Sequence, residues 1–157
     1  MPMWNIYHPE STFSTAQDKA AFVNDINDFY RDDAELPEFY VVVNFITLPP
    51  TSFFRGRTLV AELDKPFIRL HISHVAVSSA EVDQLFGEGT DPGAKMTAGI
   101  DKAIQRTVKD KGYYFEYSVS EDPRELWKVD GLVPPPWKTD AEKTWVREGK
   151  AVPWNKS

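Results

Sequence analysis

Proline at position 2 is the residue of this chain whose placement suits it best to catalysis. Removal of an initiator methionine before proline would leave Pro2 with a free secondary amine. Model α-amino groups titrate at about 7.7 to 8.0, and burial lowers this pKa because it disfavours the charged form. Such an amine exchanges protons near neutral pH, as general acid–base catalysis requires. If Met1 stays in place, the Pro2 nitrogen is an amide without a basic lone pair, and this chemistry is lost.

Two histidines lie three positions apart, at His71 and His74, within a segment that has strand character. Residues three apart on a strand face opposite sides of the sheet, so we expect no shared metal ion. The chain has no cysteine, which excludes disulfides, thiolate nucleophiles and thiolate zinc sites. Gly87 and Gly89 lack the third glycine of a dinucleotide loop. We therefore expect no metal and no cofactor.

Length and charge narrow the class of protein further. A chain of 157 residues is most simply a single domain, 1–157. Its net charge of −6 opposes binding to nucleic acid or to an anionic membrane surface. The longest strongly apolar run, residues 39–43, is far too short to span a bilayer. The start of the chain lacks the basic and apolar regions of a secretory signal, so we expect a cytoplasmic protein.

The first third of the chain shows strand and helix patterns in turn. Residues 2–8 predict a short strand, and the stretch from Ser14 to Gln17 has the spacing of a capping box that opens a helix. Apolar residues then recur at three- and four-residue steps, and we expect the helix to end at 31–33. Residues 39–46 are almost continuously apolar, which predicts a strand covered on both faces.

A second segment of the chain, beginning at residue 66, repeats this order of strand and helix patterns. Residues 66–77 predict a strand after a proline, and 78–81 repeat the capping box. A glycine-rich stretch then interrupts the helical pattern. We expect the helix to continue with Asp91 as its N-cap and Pro92 at its first position, and to end before Gly112.

Together the two segments predict a duplicated β-α-β fold of the α/β (α+β) class. Residues 1–50 form the first repeat and 66–120 the second, which closes with a strand at 113–119. Parallel strands joined by right-handed crossovers give a mostly four-stranded sheet with two helices on one face. We place Phe45 and Phe115 on the other face, which needs its own cover. A partner subunit is the obvious source.

The remaining segment, 121–157, is an extended arm rich in proline and tryptophan. Its prolines oppose long regular structure, whereas its four tryptophans need burial. We therefore expect an arm that wraps its own subunit or a neighbour. The run Pro134-Pro135-Pro136-Trp137 could instead be a polyproline ligand for a recognition domain, although four interleaved tryptophans favour a packed arm.

With these elements the chain resembles the tautomerase superfamily, and within it the branch of the cis-3-chloroacrylic acid dehalogenases and related fungal tautomerase-like proteins. The resemblance spans nearly the whole chain and rests on Pro2, on Val43-Asn44-Phe45 with Pro49 and Phe54-Arg55-Gly56, on Ile72-Ser73-His74, and on the stretch from Tyr117 through Gly131-Leu132-Val133-Pro134. It implies a homotrimer with active sites between subunits, in which Pro2 exchanges protons with a small carbonyl or carboxylate substrate.

The resemblance also implies site residues. Tyr30 takes the place of a histidine on the first helix, His74 matches a histidine of the second-repeat strand, and Tyr117 matches a tyrosine that helps from a neighbouring subunit. Two arginines follow that strand histidine in the dehalogenases, but 75–78 contains none. The acid that activates water there aligns with Lys128, within a residue or two. These departures argue against hydrolytic dehalogenation.

Another arginine would have to supply the positive charge. Arg69 alternates with Leu70 and Ile72, so it points away from the face that they occupy. If that face is free of helices, Arg69 faces the trimer interface. The other candidate cations are Arg31, Arg55 and Arg57.

Two hypotheses follow from the sequence. In the first, the chain is an isomerase of the tautomerase type, with Pro2 catalytic and with Tyr30, Arg69, His74 and Tyr117 binding substrate. In the second, the chain keeps the fold and the trimer but has lost catalysis, and it serves as a binding or structural module. Retention of Pro2 favours the first, whereas the missing arginine pair favours the second.

Overall fold

The fold is built on a four-stranded sheet, seen in a computed structural model that describes residues 2–75 and 91–155. The strands are β1 (Met3–Pro9), β2 (Val42–Leu48), β5 (Phe67–His74) and β6 (Tyr114–Glu121), in the spatial order β2-β1-β5-β6. A short hairpin of β3 (Phe54–Arg55) and β4 (Thr58–Leu59) lies between β2 and β5 in the chain.

The pairing directions show the duplication. β1 pairs with β2 and β5 pairs with β6 in parallel, and the two pairs meet where β1 runs antiparallel to β5. Helix α1 (Ala16–Ala34) follows β1, and helix α2 (Pro92–Ala103) precedes β6. Both helices pack on the same face of the sheet, because their buried residues share one core with the inward residues of β1 and β5. The predicted sheet with two helices on one face is confirmed.

Local signals set the helix ends. Thr15, not Ser14, caps α1: its side chain accepts a hydrogen bond from the backbone N–H of Asp18, one residue later than the predicted box. Asp91 caps α2 through the N–H of Ala94, and Pro92 takes the first position as predicted. The capping box predicted at 78–81 lies outside the described residues.

The helix-covered face holds a core in which Trp4, Ile6, Leu70 and Ile72 are fully buried. The prediction for Phe45 was wrong, because it pairs in register with Ile6 and so shares the helix-covered face.

Phe115 was misplaced in the same way, since it pairs with Ile68, which is fully buried. The strand predicted over 39–46 forms as β2, but it begins three residues later, and within the chain it is not covered on both faces. Residues 38–40 form a single 3-10 turn before β2, and Asn44 and Thr47 of β2 are exposed.

The arm packs on its own chain. It contains a helix that the prolines did not lead us to predict, α3 (Asp140–Glu148), which fits between Pro136 and Pro153. Trp145 of α3 is fully buried and meets the rings of Phe39 and Tyr40.

The polyproline alternative loses its basis, since Pro134 and Pro135 are buried. Trp137 donates a hydrogen bond to the Ala34 carbonyl at the end of α1, over 2.9 Å. None of the helices that the structure describes is long and apolar enough to cross a membrane.

Candidate active site at the start of the first strand

Pro2 is buried at the edge of the helix-covered core, immediately before β1. Its carbonyl accepts a hydrogen bond from the Val42 N–H at 2.9 Å, which ties it to β2. On the other side, Met3 pairs with Ser73 of the antiparallel strand β5. The ladder ends at this pair, and the same register continued by one position would set Pro2 opposite His74, the last residue of β5.

His74 is a buried, neutral imidazole. Only 4% of the residue is exposed. Burial, helped by the positive charge of the amino terminus, lowers the pKa of His74 to about 4. At neutral pH this side chain therefore carries no charge beside Pro2, and it can donate a hydrogen bond from one ring nitrogen while it accepts at the other.

Tyr30 links His74 to the first strand. Its hydroxyl oxygen lies 2.6 Å from Nε2 of His74 and accepts a hydrogen bond from Nε1 of Trp4 at 2.9 Å. The residue is 3% exposed, and burial raises the pKa of its hydroxyl well above the ordinary value, so it keeps its proton. Three elements, β1, α1 and β5, thus contribute one side chain each to a buried hydrogen-bonded chain.

The sequence places Tyr30 here by helical spacing. Phe22, Ile26 and Tyr30 follow one another at four-residue steps on α1, and all three are buried against the sheet. The indole of Trp4 meets the rings of Phe22 and Tyr30 edge to face. These contacts hold the Tyr30 hydroxyl at the level of the first residues of β1.

Arg69 lies on the opposite face of the sheet from His74, as its alternation with Leu70 and Ile72 predicted. Its guanidinium donates to Oγ of Ser118 at 2.8 Å and lies 3.6 Å from the carboxylate of Glu116. Within one chain, the structure does not bring Arg69 to Pro2.

Tyr117 also lies away from Pro2 within the chain. It pairs with Leu70, four positions before His74 on β5, and its hydroxyl donates to Asp101 of α2 at 3.3 Å. Burial and the charge of Asp101 raise the pKa of the Tyr117 hydroxyl.

Two further candidate cations have other neighbours: Arg55 stacks on Tyr114, and Arg31 pairs with carboxylates on α1.

A cleft formed by the described residues lies elsewhere. It has a volume of about 530 Å³ and lies at the opposite end of β1 from Pro2, between Pro9, Leu48 and Pro66. The residues that the structure describes also contain no cluster of metal-binding side chains.

Comparisons with known proteins agree with this fold. Residues 1–150 match the family model described as "Putative oxalocrotonate tautomerase enzyme". The chain belongs to the tautomerase superfamily. Native RhCC from Rhodococcus jostii RHA1 is 32% identical, with a TM-score of 0.82, and the match covers 97% of this chain and 99% of that one.

Two further solved structures share this fold. A protein from the thermophilic fungus Aspergillus fumigatus is 33% identical, with a TM-score of 0.79 and 98% of both chains covered. N1, a member of the cis-3-chloroacrylic acid dehalogenase family, shares the fold at 14% identity, with a TM-score of 0.67 and with 94% of this chain and 97% of that one covered. No curated protein sequence matches at the significance that we required.

Sequence reasoning missed Trp4. Trp4 lies two positions after Pro2, and residues two apart in an extended chain point to the same side. This spacing was the available signal. Nothing local to the sequence showed that its indole would meet a hydroxyl 26 residues further on.

Proposed function

We propose that this tautomerase catalyses keto–enol proton transfer on a small carbonyl or carboxylate compound, with Pro2 as the acid–base group after removal of Met1. The supporting observation is the position of Pro2, which is buried directly before β1, where the register of β1 and β5 leads towards the neutral His74. Membership of the superfamily supports the same reaction class.

The chemistry asks for a base whose pKa lies near the working pH. Burial disfavours the protonated amine, so a free Pro2 nitrogen should have a pKa below that of an ordinary α-amino group and closer to neutral pH. It can then take a proton from the carbon next to a carbonyl and return it to oxygen.

We also propose that three copies assemble, with active sites between subunits. Among the described residues the sheet carries helices on one face only, and Tyr7, Ile46 and Arg69 share a row across the other face. A neighbouring subunit would cover this row. Among solved structures of the same fold is a fused 4-OT described as an asymmetric trimer.

The second candidate is a binding or structural module that has lost catalysis. The absence of arginine from 75–78 favours it, as does the distance of Arg69 from Pro2 within the chain. Hydrolytic dehalogenation is not proposed, because Lys128 stands where the dehalogenases are expected to carry the acid that activates water.

The intact mass of the protein and its turnover rate distinguish the enzyme from the non-catalytic module. We expect untagged protein to lack Met1 and to convert the enol of a phenylpyruvate-type substrate to the keto form. Pro2→Ala should reduce the rate by about 10² or more, the scale of general acid–base catalysis. Pro9→Ala, at the other end of the same strand, is the matched control and should keep the rate. Retained Met1, or equal rates for Pro2→Ala and wild type, would exclude this function.

A further inference from the structure

The hydrogen-bonded chain at Pro2 has a fixed direction. The indole nitrogen of Trp4 is a donor only, so at 2.9 Å the Tyr30 oxygen must accept from it. The Tyr30 hydroxyl keeps its own hydrogen, which needs an acceptor. Among the described residues the one within reach is Nε2 of His74, at 2.6 Å.

This direction sets the tautomer of His74. If Nε2 carried the proton, the Tyr30 oxygen would have to accept two hydrogen bonds. Its own hydroxyl hydrogen would then have no partner, although Tyr30 is only 3% exposed. An unpaired buried donor is costly, so Nε2 is the acceptor and the proton of the neutral ring is on Nδ1. No hydrogen bond within the described part of the chain reaches Nδ1.

We propose that His74, as a neutral imidazole, donates a hydrogen bond from Nδ1 to the oxygen of the substrate carbonyl, and that Tyr30 and Trp4 are positioning residues that hold this tautomer. The inference rests on the proposed function, and it names the group that takes over the task of the missing arginines. It also changes the role of Tyr30, whose hydroxyl is engaged on both sides and has no hydrogen to offer a substrate.

The placement suits this role. Trp4 pairs with Ile72 on the helix-covered face of the sheet, and His74 lies on the same face of β5. Pro2 directly precedes β1, and the same register continued by one pair would bring its nitrogen next to the imidazole. A carbonyl compound held between them would have its acidic carbon at the amine and its oxygen at the ring.

The proton transfer balances without another reactant. The Pro2 nitrogen takes a proton from the carbon next to the carbonyl, the C–H electron pair forms the C=C bond, and the carbonyl π pair moves to oxygen. The Nδ1–H of His74 stabilises the negative charge that develops there. The oxygen then takes the proton from the prolinium, which restores the free amine and releases the enol.

A neutral donor is suited to this site. Burial keeps the ring uncharged at neutral pH, so it does not repel the prolinium that forms beside it. Neutral imidazole is an established electrophile for enolate-forming reactions elsewhere, where its pKa is likewise lowered by its surroundings. The charged alternative, Arg69, lies on the opposite face of the sheet in the same chain.

The tautomer can be measured without any substrate. Two-bond ¹H–¹⁵N spectra of the protein at neutral pH should show His74 with a protonated Nδ1 and an unprotonated Nε2. In Tyr30→Phe the Nε2 acceptor loses its partner, and the His74 signals should move towards a mixture of tautomers. A proton on Nε2 in the wild type would overturn the inference.

Kinetics test the role. We expect His74→Leu, which keeps bulk but removes the donor, to lower kcat by about 10² to 10³, as loss of a donor to the developing oxyanion does. His74→Asn keeps an N–H near the position of Nδ1 and should retain more of the rate. Tyr30→Phe should lower kcat by about tenfold with little change in KM, since it affects the charge that develops on oxygen. Circular dichroism confirms that each variant is folded.

Tyr40→Phe is the matched control for Tyr30→Phe. The Tyr40 hydroxyl is buried and has no hydrogen-bond partner among the described residues, so its removal should leave kcat unchanged. The outcomes separate the two proposals. If Pro2→Ala abolishes turnover while folded His74→Leu keeps kcat, the role of His74 is refuted and the proposed function stands. If Pro2→Ala has no effect, the proposed function fails and the role of His74 with it.

Discussion

At the scale of single residues, His8 and His74 are two buried imidazoles whose pKa is lowered, in both cases mainly by burial. The ring of His8 contacts the hydroxyls of Thr12 and Thr47. Because the folded chain binds these protons more weakly than the unfolded chain does, stability is complete above about pH 6.5 and falls as the pH drops towards 4.

This linkage predicts a measurable loss of stability. For His74 alone, a pKa that moves from 6.5 to about 4 implies a loss of about 2 kcal/mol of unfolding free energy at about pH 5. Urea denaturation of wild type and His74→Gln, at about pH 7.5 and about pH 5, isolates this contribution. The wild type should lose about 2 kcal/mol more than the variant. Equal losses would show that His74 is not a buried neutral group.

At the scale of elements, the contact between α1 and α2 depends on one glycine. A methyl group at Gly99 would overlap the ring of Phe29, which itself packs on Tyr30 with ring centroids 4.6 Å apart. Gly99→Ala gains about 1 kcal/mol of helix propensity. Overpacking costs about 1 to 3 kcal/mol, so we expect net destabilisation.

A double-mutant cycle tests this contact. In a Phe29→Leu background the smaller side chain makes room, and Gly99→Ala should then be neutral or stabilising in thermal or urea denaturation. Because Phe29 presses on Tyr30, Gly99→Ala alone should also lower turnover, whereas the double variant should recover part of it. A cycle with additive effects would contradict the packing argument.

The elements also show how far sequence reasoning reaches. The caps at Asp91 and Pro92 depend on neighbouring residues only, and they were predicted correctly. Gly112 has the predicted positive φ, but α2 already ends at Ala103, and a π-helical segment, Gln105–Lys109, lies between the helix and this glycine. The faces of Phe45 and Phe115 were predicted wrongly. β2 is too apolar for alternation to fix which of its faces is inside. In β6, Phe115 alternates with polar residues, so the sequence held a signal for its inner face that the prediction missed.

The same limit applies to the site. Pro2 was identifiable as a candidate because its chemistry depends on chain position alone. The link from Trp4 through Tyr30 to His74 spans separations of 26 and 44 residues, and it depends on how α1 packs on the sheet. No local pattern encodes that contact.

At the scale of the whole molecule, the arm completes the core. Trp145 is fully buried, and its indole nitrogen donates to the Val152 carbonyl at 2.8 Å. We expect Trp145→Ala to cost about 3 to 5 kcal/mol in urea denaturation. Val146, its neighbour on α3, is 46% exposed, and Val146→Ala should change stability by about 0.5 kcal/mol or less. Similar losses for the two variants would mean that the arm does not belong to the core.

The last prediction concerns the face of the sheet on which the described part of the chain places no helix. If it is covered by neighbouring subunits, light scattering at micromolar concentration should give three times the 17.9 kDa mass of one chain. Ile46→Lys places a charge in the row that includes Tyr7 and Arg69, and it should yield a folded monomer because desolvating that charge opposes assembly. Asn24→Lys, on the exposed side of α1, is the control and should remain a trimer. A wild-type monomer would refute the assembly.

The turnover rate of the Ile46→Lys monomer then shows whether the active site needs a neighbouring subunit. His74 and Pro2 belong to one chain, whereas Arg69 and Tyr117 lie away from them in that chain. If Ile46→Lys is monomeric, folded and inactive, a neighbouring subunit supplies something that the substrate needs. If the monomer keeps its rate, Pro2 and His74 suffice, and the active site is complete within one subunit.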